Sequence, residues 1–138
     1  MTLKTIATRW IEEIWRPGDL ATFFELHAAQ FADRSPSDRP ADREAYRQSI
    51  LDLYAAFPDF FTVIDDLVCD EAAGKAAIRW TATGTHQGAF MGIEPTGRVI
   101  TFHGIEIIRV VEDRIVERWG EWDGLVIYAQ LTSSDALR

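Results

Sequence analysis

Apolar residues recur at three- and four-residue intervals in the first part of this chain and at two-residue intervals in the second, which predicts helices followed by strands. Ile6, Trp10, Ile14 and Trp15 mark a first helix, which Pro17-Gly18 stops. Asp19 is placed to cap a second, on which Leu20, Phe23, Phe24, His27 and Phe31 keep helical spacing and turn His27 inward. Asp42 caps a third, with Tyr46, Ile50, Leu53, Tyr54 and Phe57 as its apolar stripe and Pro58 as its stop. Between the second and third lies a polar loop broken by prolines, Ser35 to Pro40. From Phe60 onward the chain reads as strands over 60–69, 76–85, 98–111 and 115–123, with Glu71 to Lys75 and Glu112 to Arg114 as hairpin connections.

Helices first and consecutive antiparallel strands afterwards is the α+β pattern, with helices collected on one face of a sheet. The 138 residues suit one domain, 1–138, with one core, and 47% of them are hydrophobic, enough to offset chain entropy by burial. A formal charge of −8 removes electrostatic support for gripping nucleic acid or an anionic membrane surface. No apolar run approaches the roughly 18 residues that span a bilayer, and Arg9, Glu12 and Glu13 interrupt the stretch where a signal peptide is apolar. The expectation is a cytoplasmic protein. Cys69 is the single cysteine, so no internal disulfide forms, and neighbouring Asp70 and Glu71 oppose its ionisation. The three histidines lack metal-ligand spacing, and no nucleophile-elbow, phosphate-loop or dinucleotide-binding glycine pattern is present. Chemistry without a cofactor is expected.

Three ordered motifs narrow the reading. They are Gly84-Thr85-His86-Gln87-Gly88, then Met91-Gly92-Ile93-Glu94-Pro95-Thr96-Gly97, then Glu117, Trp119 and Asp123 in the pattern E-x-W-x-x-x-D. In this order they resemble the SnoaL-like polyketide cyclases, within the group folded like nuclear transport factor two. The resemblance implies three N-terminal helices packed on a strongly curved, mainly antiparallel sheet, a cone with a deep apolar pocket at its open end. It also implies a homodimer paired through the outer sheet face. The alternation of Ile100, Phe102 and Ile108 against Ile105 and Ile107 agrees, because it leaves that strand apolar on both faces.

Asp123 is the first catalytic candidate, since the matching aspartate in the cyclases this chain resembles is the general acid/base. A carboxylate among Trp119 and Trp122 loses solvation, which raises its pKa toward neutrality. Strand parity points the other way: Glu117, Trp119, Glu121 and Asp123 share one face, and three acids on a face normally meet solvent. An exposed turn aspartate before Gly124 is therefore the alternative. His103, in parity with Thr101, Ile105 and Ile107, falls on a largely apolar face, where it would orient a substrate carbonyl or hold Asp123. His86 reads as architectural. Trp80, Phe90, Met91, Phe102, Tyr54 and Trp119 are candidate walls for a flat ligand, together with His27 and Arg34. Arg34 stands where many relatives carry histidine; a guanidinium cannot act as a base but can hold an enolate or carboxylate oxygen.

The leading expectation is cofactor-independent proton transfer on an apolar, carbonyl-containing small molecule, leading to intramolecular aldol closure or isomerisation. Epoxide opening is a second. It needs a base and an acid bridged by an arginine, with Asp123 beside Arg34 or Arg79 as the available set. A third is a binding or dimerisation module without catalysis, because one fold hosts many functions.

Overall fold

The computed structural model describes residues 1–18, 20–35 and 38–133. The expected cap at Asp19 and the centre of the proline-broken loop, Pro36 and Ser37, lie outside the described residues. Helix α1 spans Leu3–Arg9, its first turn capped by the Thr2 hydroxyl, which accepts from the Thr5 N–H at 3.1 Å. The same helix runs on as a π-helical turn, Trp10–Ile14, where Trp10, Ile11 and Ile14 are all buried. Ile11 and the following Trp15 reach the cavity described below.

The second helical segment is much shorter than its periodicity predicts: α2 is only Phe23–Leu26, and the chain then extends as strand β1, His27–Asp33. The apolar spacing over this region fits either period, and pairing with a strand far along the chain decided it. β1 runs parallel to β5, Arg114–Trp122, with Ala32 opposite Glu117 and Asp33 opposite Arg118. His27 is buried as expected, but as the first residue of a strand. Helix α3, Arg43–Ala56, matches expectation closely, with Asp42 accepting from the Ala45 N–H at 2.8 Å and Tyr46, Ile50, Leu53 and Tyr54 buried.

Strands β2, Phe61–Asp70, β3, Lys75–Thr85, and β4, Val99–Val111, complete a five-stranded curled sheet of order β1-β5-β4-β3-β2, antiparallel except at β1. The fold is α+β. A fourth helix, α4, Gly124–Thr132, was not foreseen, because its run Leu125-Val126-Ile127-Tyr128 carries β-formers and follows a strand directly. Tertiary contacts hold it. Gln130 exchanges two hydrogen bonds with the Thr101 backbone, at 3.0 and 2.7 Å, and Arg98 donates to the carbonyls of Gln130 and Ser133 at the helix end.

Candidate active site

Strand alternation sends Ile78, Trp80 and Ala82 of β3 and Ile100, Phe102, Glu106 and Ile108 of β4 to the covered face. On β5 the same face receives Arg118, Gly120 and Trp122, since Gly104 pairs with Trp122 and Glu106 with Gly120. Two residues of opposite charge, Glu106 and Arg118, are thereby brought to one interior surface two register positions apart. Arg118 Nε donates to Glu106 Oε1 at 2.7 Å, and its Nη1 donates to both Asp33 oxygens at 3.1 and 3.2 Å. Arg39 adds a bond to Asp33 at 2.5 Å, and Trp80 Nε1 donates to Glu106 Oε2 at 3.3 Å. The Arg118 guanidinium also lies over Tyr46, 5.0 Å from the ring centroid, and over Trp15 at 5.5 Å.

Glycine makes room for this cluster. A Cβ at Gly120 would fall 2.5 and 2.6 Å from the two Glu106 carboxylate oxygens and 2.6 Å from Arg118 Nη2. A Cβ at Gly104 would fall 2.1 Å from the Trp80 ring.

The two carboxylates titrate in opposite directions. Burial pushes the Glu106 carboxyl above its usual range, and Arg118 and Trp80 only partly oppose it. Burial acts on Asp33 the same way, but there Arg118, the Ser35 bonds and Arg39 together outweigh it and hold the carboxyl below the usual range. Arg118 remains charged, because Glu106, Tyr46 and Asp33 overcome the desolvation that would lower it.

Beside the cluster lies a cavity of about 510 Å³ between the helices and the inner sheet face. Trp15, Phe60, Trp80, Phe90 and Trp122 supply aromatic wall, with Ile11 and Leu53. Glu106 and Arg118 form the polar floor, and Ser35, Arg39, Ser49 and Asp52 lie along another side. Among the described residues no group of three side chains is arranged to hold a metal ion, and no helix is long and apolar enough to cross a membrane.

A model of the SnoaL-like polyketide cyclases matches residues 5–131. The chain belongs to this family. Among solved structures, IdmH from Streptomyces antibioticus, described as a candidate polyketide cyclase, is 30% identical, with a TM-score of 0.83 over 96% of this chain and 100% of that one. A candidate polyketide cyclase from Acidithiobacillus ferrooxidans is 28% identical, with a TM-score of 0.82 over 94% and 93% of the two chains. AclR from Streptomyces galilaeus, described as a candidate hydroxylase, is 26% identical, with a TM-score of 0.79 over 91% and 93%. No curated protein matches significantly.

In this member of the SnoaL-like family several expected site residues sit elsewhere. Asp123 is exposed; its carboxylate accepts from the Val126 N–H at 3.1 Å as the N-cap of α4, although its neighbours Trp122 and Gly124 both line the cavity. Strand parity does not reach Asp123, since β5 ends at Trp122, but the β5 face that carries Glu117 and Trp119 is the outer one. Trp119 accordingly lies outside, with the Lys75 ammonium 5.2 Å from its ring. His103 is exposed on the same outer surface, 3.0 Å from the Thr81 hydroxyl, and its apolar companions Ile105 and Ile107 are exposed with it. Apolar parity marked a face but not which one. Arg34 is exposed and pairs with Glu117 at 3.1 Å, and Met91 is exposed in the loop after β3. Phe102 and Tyr54 are core: Phe102 packs edge-on to Trp80 at 5.7 Å, and the Tyr54 hydroxyl donates to the Ile14 carbonyl. Trp80 and Phe90 do line the cavity. His86 is buried in the loop after β3, its Nδ1 accepting from the Thr96 N–H at 3.1 Å, which fits the architectural reading.

His27 belongs to the core as well. Trp10 Nε1 donates to His27 Nε2 at 3.1 Å, so the proton sits on Nδ1, which donates to the Phe23 carbonyl at 2.8 Å. Burial holds its pKa down to about 4 from the ordinary 6.5, against the Phe23 bond that favours the cation. Between those values the folded chain binds fewer protons than the unfolded one. The stability from this site is therefore complete above pH 6.5 and falls as pH drops toward 4, by about 3 kcal/mol in all. Urea unfolding of the wild type and His27→Gln at pH 7.0 and 4.5 is expected to show a markedly smaller pH-dependent loss in the variant; equal losses would refute the assignment.

The interior cluster of Glu106, Arg118 and Asp33 was missed. A signal existed in the sequence: Glu106 alternates with Ile100, Phe102 and Ile108, and Arg118 with Gly120 and Trp122, so two opposite charges interrupt covered faces of adjacent strands.

Proposed function

We propose that this protein is a cofactor-independent cyclase or isomerase that moves a proton on an apolar, carbonyl-containing small molecule. The observation that carries the reading is Glu106: a buried carboxyl at the cavity wall, its pKa raised by burial, beside a permanently charged arginine. As carboxylate, Glu106 takes a proton from a carbon flanked by carbonyls. The negative charge passes to the enolate oxygen, and Arg118, relieved of an anionic Glu106, stabilises it there. The enolate carbon then attacks a second carbonyl of the same molecule, and the resulting alkoxide takes the proton back from Glu106. No atom leaves, as aldol closure requires; return of the proton to another carbon gives isomerisation.

Asp123, the acid/base that the family resemblance implies, is not among the cavity-lining residues, although Trp122 and Gly124 on either side of it are. Its test is a comparison of Glu106→Gln with Asp123→Asn in single-turnover assays on a polycarbonyl substrate. A much larger loss in Glu106→Gln supports Glu106; the reverse moves the proton-transfer role to Asp123.

The bridge of Asp33, Arg118 and Glu106 favours a second reading, epoxide opening by water, since two carboxylates flank one arginine. Its weakness is the acid. Asp33 is held ionised by two guanidiniums and is not among the cavity-lining residues, so it has no proton to give an opening ring.

We further read the protein as a homodimer through the outer sheet face, where Val63 is 40%, Ile105 52% and Ile107 38% exposed. Light scattering at micromolar concentration is expected to give twice the chain mass, and a strictly monomeric mass would contradict this.

A further inference from the structure

Arg118 and Glu106 meet as half of a fork. A guanidinium presents Nε and Nη2 along one edge, a spacing that matches the two oxygens of a carboxylate. Only one prong is made here: Nε donates to Glu106 Oε1 at 2.7 Å, while Oε2 accepts from Trp80 Nε1 at 3.3 Å. On the other edge Nη1 donates to both oxygens of Asp33, at 3.1 and 3.2 Å. Nη2 has no hydrogen-bond partner among the described residues, and it is not one of the fully buried unpartnered atoms, which include Trp15 Nε1 and Arg39 Nε. It is therefore an accessible donor on a buried cation. It is also the guanidinium atom nearest to where a Gly120 Cβ would stand, 2.6 Å away, and Gly120, Arg118 and Glu106 all line the cavity.

The fork stays half made because both of its members are tied elsewhere. Asp33 is buried opposite Arg118 in the β1 to β5 register, and it is itself held by Arg39 at 2.5 Å and by the Ser35 N–H at 3.0 Å. On the other side the Trp80 indole lies across Gly104 and takes up Glu106 Oε2. Closure of the fork would occupy Nη2 and stabilise the Glu106 carboxylate, making it a weaker base.

We propose that Asp33 is a positioning residue: by holding Nη1 it keeps the guanidinium from closing on Glu106 and leaves Nη2 as the donor to a carbonyl or enolate oxygen of the ligand. The inference rests on Glu106 being the carboxyl that moves the proton, as in the proposed function. It adds the atom that binds the oxygen and the residue that keeps this atom free. A donor fixed beside the base, in a site with little water, stabilises the oxygen as its charge develops.

The test follows hydrogen exchange at the Arg118 guanidinium by NMR in protein made with isotopically labelled arginine, the signals assigned through the side-chain carbons. In the wild type the Nε and Nη1 hydrogens are expected to exchange slowly and the Nη2 hydrogens fast. Equal protection of Nη2 means a closed fork and overturns the inference, whether or not any variant folds. In Asp33→Asn the Nη2 hydrogens are expected to become protected as the fork closes. Binding of 2-phenyl-1,3-indandione, a flat β-diketone that is an enolate at neutral pH, is expected to weaken about tenfold in that variant by equilibrium dialysis, the scale of one buried hydrogen bond. Loosened packing would instead speed exchange at Nε, Nη1 and Nη2 together, and that result overturns the positioning role. In the wild type the bound diketone is expected to slow exchange at Nη2; binding that leaves Nη2 unprotected overturns the inference while the cavity stands as the ligand site. Failure of the wild type to bind the diketone overturns both. Wild-type turnover in Glu106→Gln, by contrast, overturns the proposed function, and with it the role given to Nη2.

Discussion

Arg118→Met is expected to lower the unfolding free energy by about 3–5 kcal/mol, because it removes a cation that touches both buried carboxylates of the interior cluster. Glu106 would be left with Trp80 Nε1 as its remaining donor, and Asp33 with Arg39 and Ser35. Methionine fills comparable volume, so the loss reports charge pairing and not a cavity. Urea unfolding followed by far-UV circular dichroism measures it. Adding Glu106→Gln to Arg118→Met should recover part of the loss, since the most deeply buried uncompensated charge is then gone. A change below about 1 kcal/mol in the single variant would mean that water, not the guanidinium, solvates these carboxylates.

Glu106→Gln is expected to reduce the proton-transfer rate by about 10²- to 10⁴-fold, equivalent to roughly 3–5 kcal/mol of barrier. The amide keeps the shape of the side chain and an acceptor for Arg118 but cannot take a proton. The carboxyl titrates above its usual range, so activity that needs its ionised form should rise with pH above that range. Stability should move the opposite way. Between the ordinary carboxylate pKa and its own raised value, the folded chain retains a proton that the unfolded chain has lost, and stability from this site declines as pH increases. Glu106→Gln should abolish both dependences. A variant with wild-type turnover and an unchanged rising limb would sink the assignment and direct attention to Asp123.

Much of the fold was legible because it is encoded in local periodicity. The α3 stripe from Tyr46 to Tyr54, its Asp42 cap and the β2 to β5 hairpins followed from spacing and turn residues. Two elements resisted. The segment 27–33 has apolar positions compatible with either period, and only pairing with β5 made it a strand. The run after Asp123 has strand-like composition, and only its cap and the Gln130 bonds to β4 made it a helix. Secondary-structure propensities differ by a few tenths of a kcal/mol per residue, so tertiary pairing readily overrides them.

The site divides in the same way. The motifs carried family membership, and the aromatic content agrees with a cavity walled by rings, Trp80 and Phe90 among them. Parity along β5 correctly grouped Glu117, Trp119 and Glu121 on one face, and parity along β4 grouped His103 with Ile105 and Ile107. By itself, the sequence determined the family, the order of most elements and which residues share a face. Which face the helices cover was decided only by the tertiary structure, as was the meeting of Asp33, Glu106 and Arg118 from three strands. Alternation is a local property of one strand, whereas the side of a curled sheet that loses its water depends on what packs against it from elsewhere in the chain.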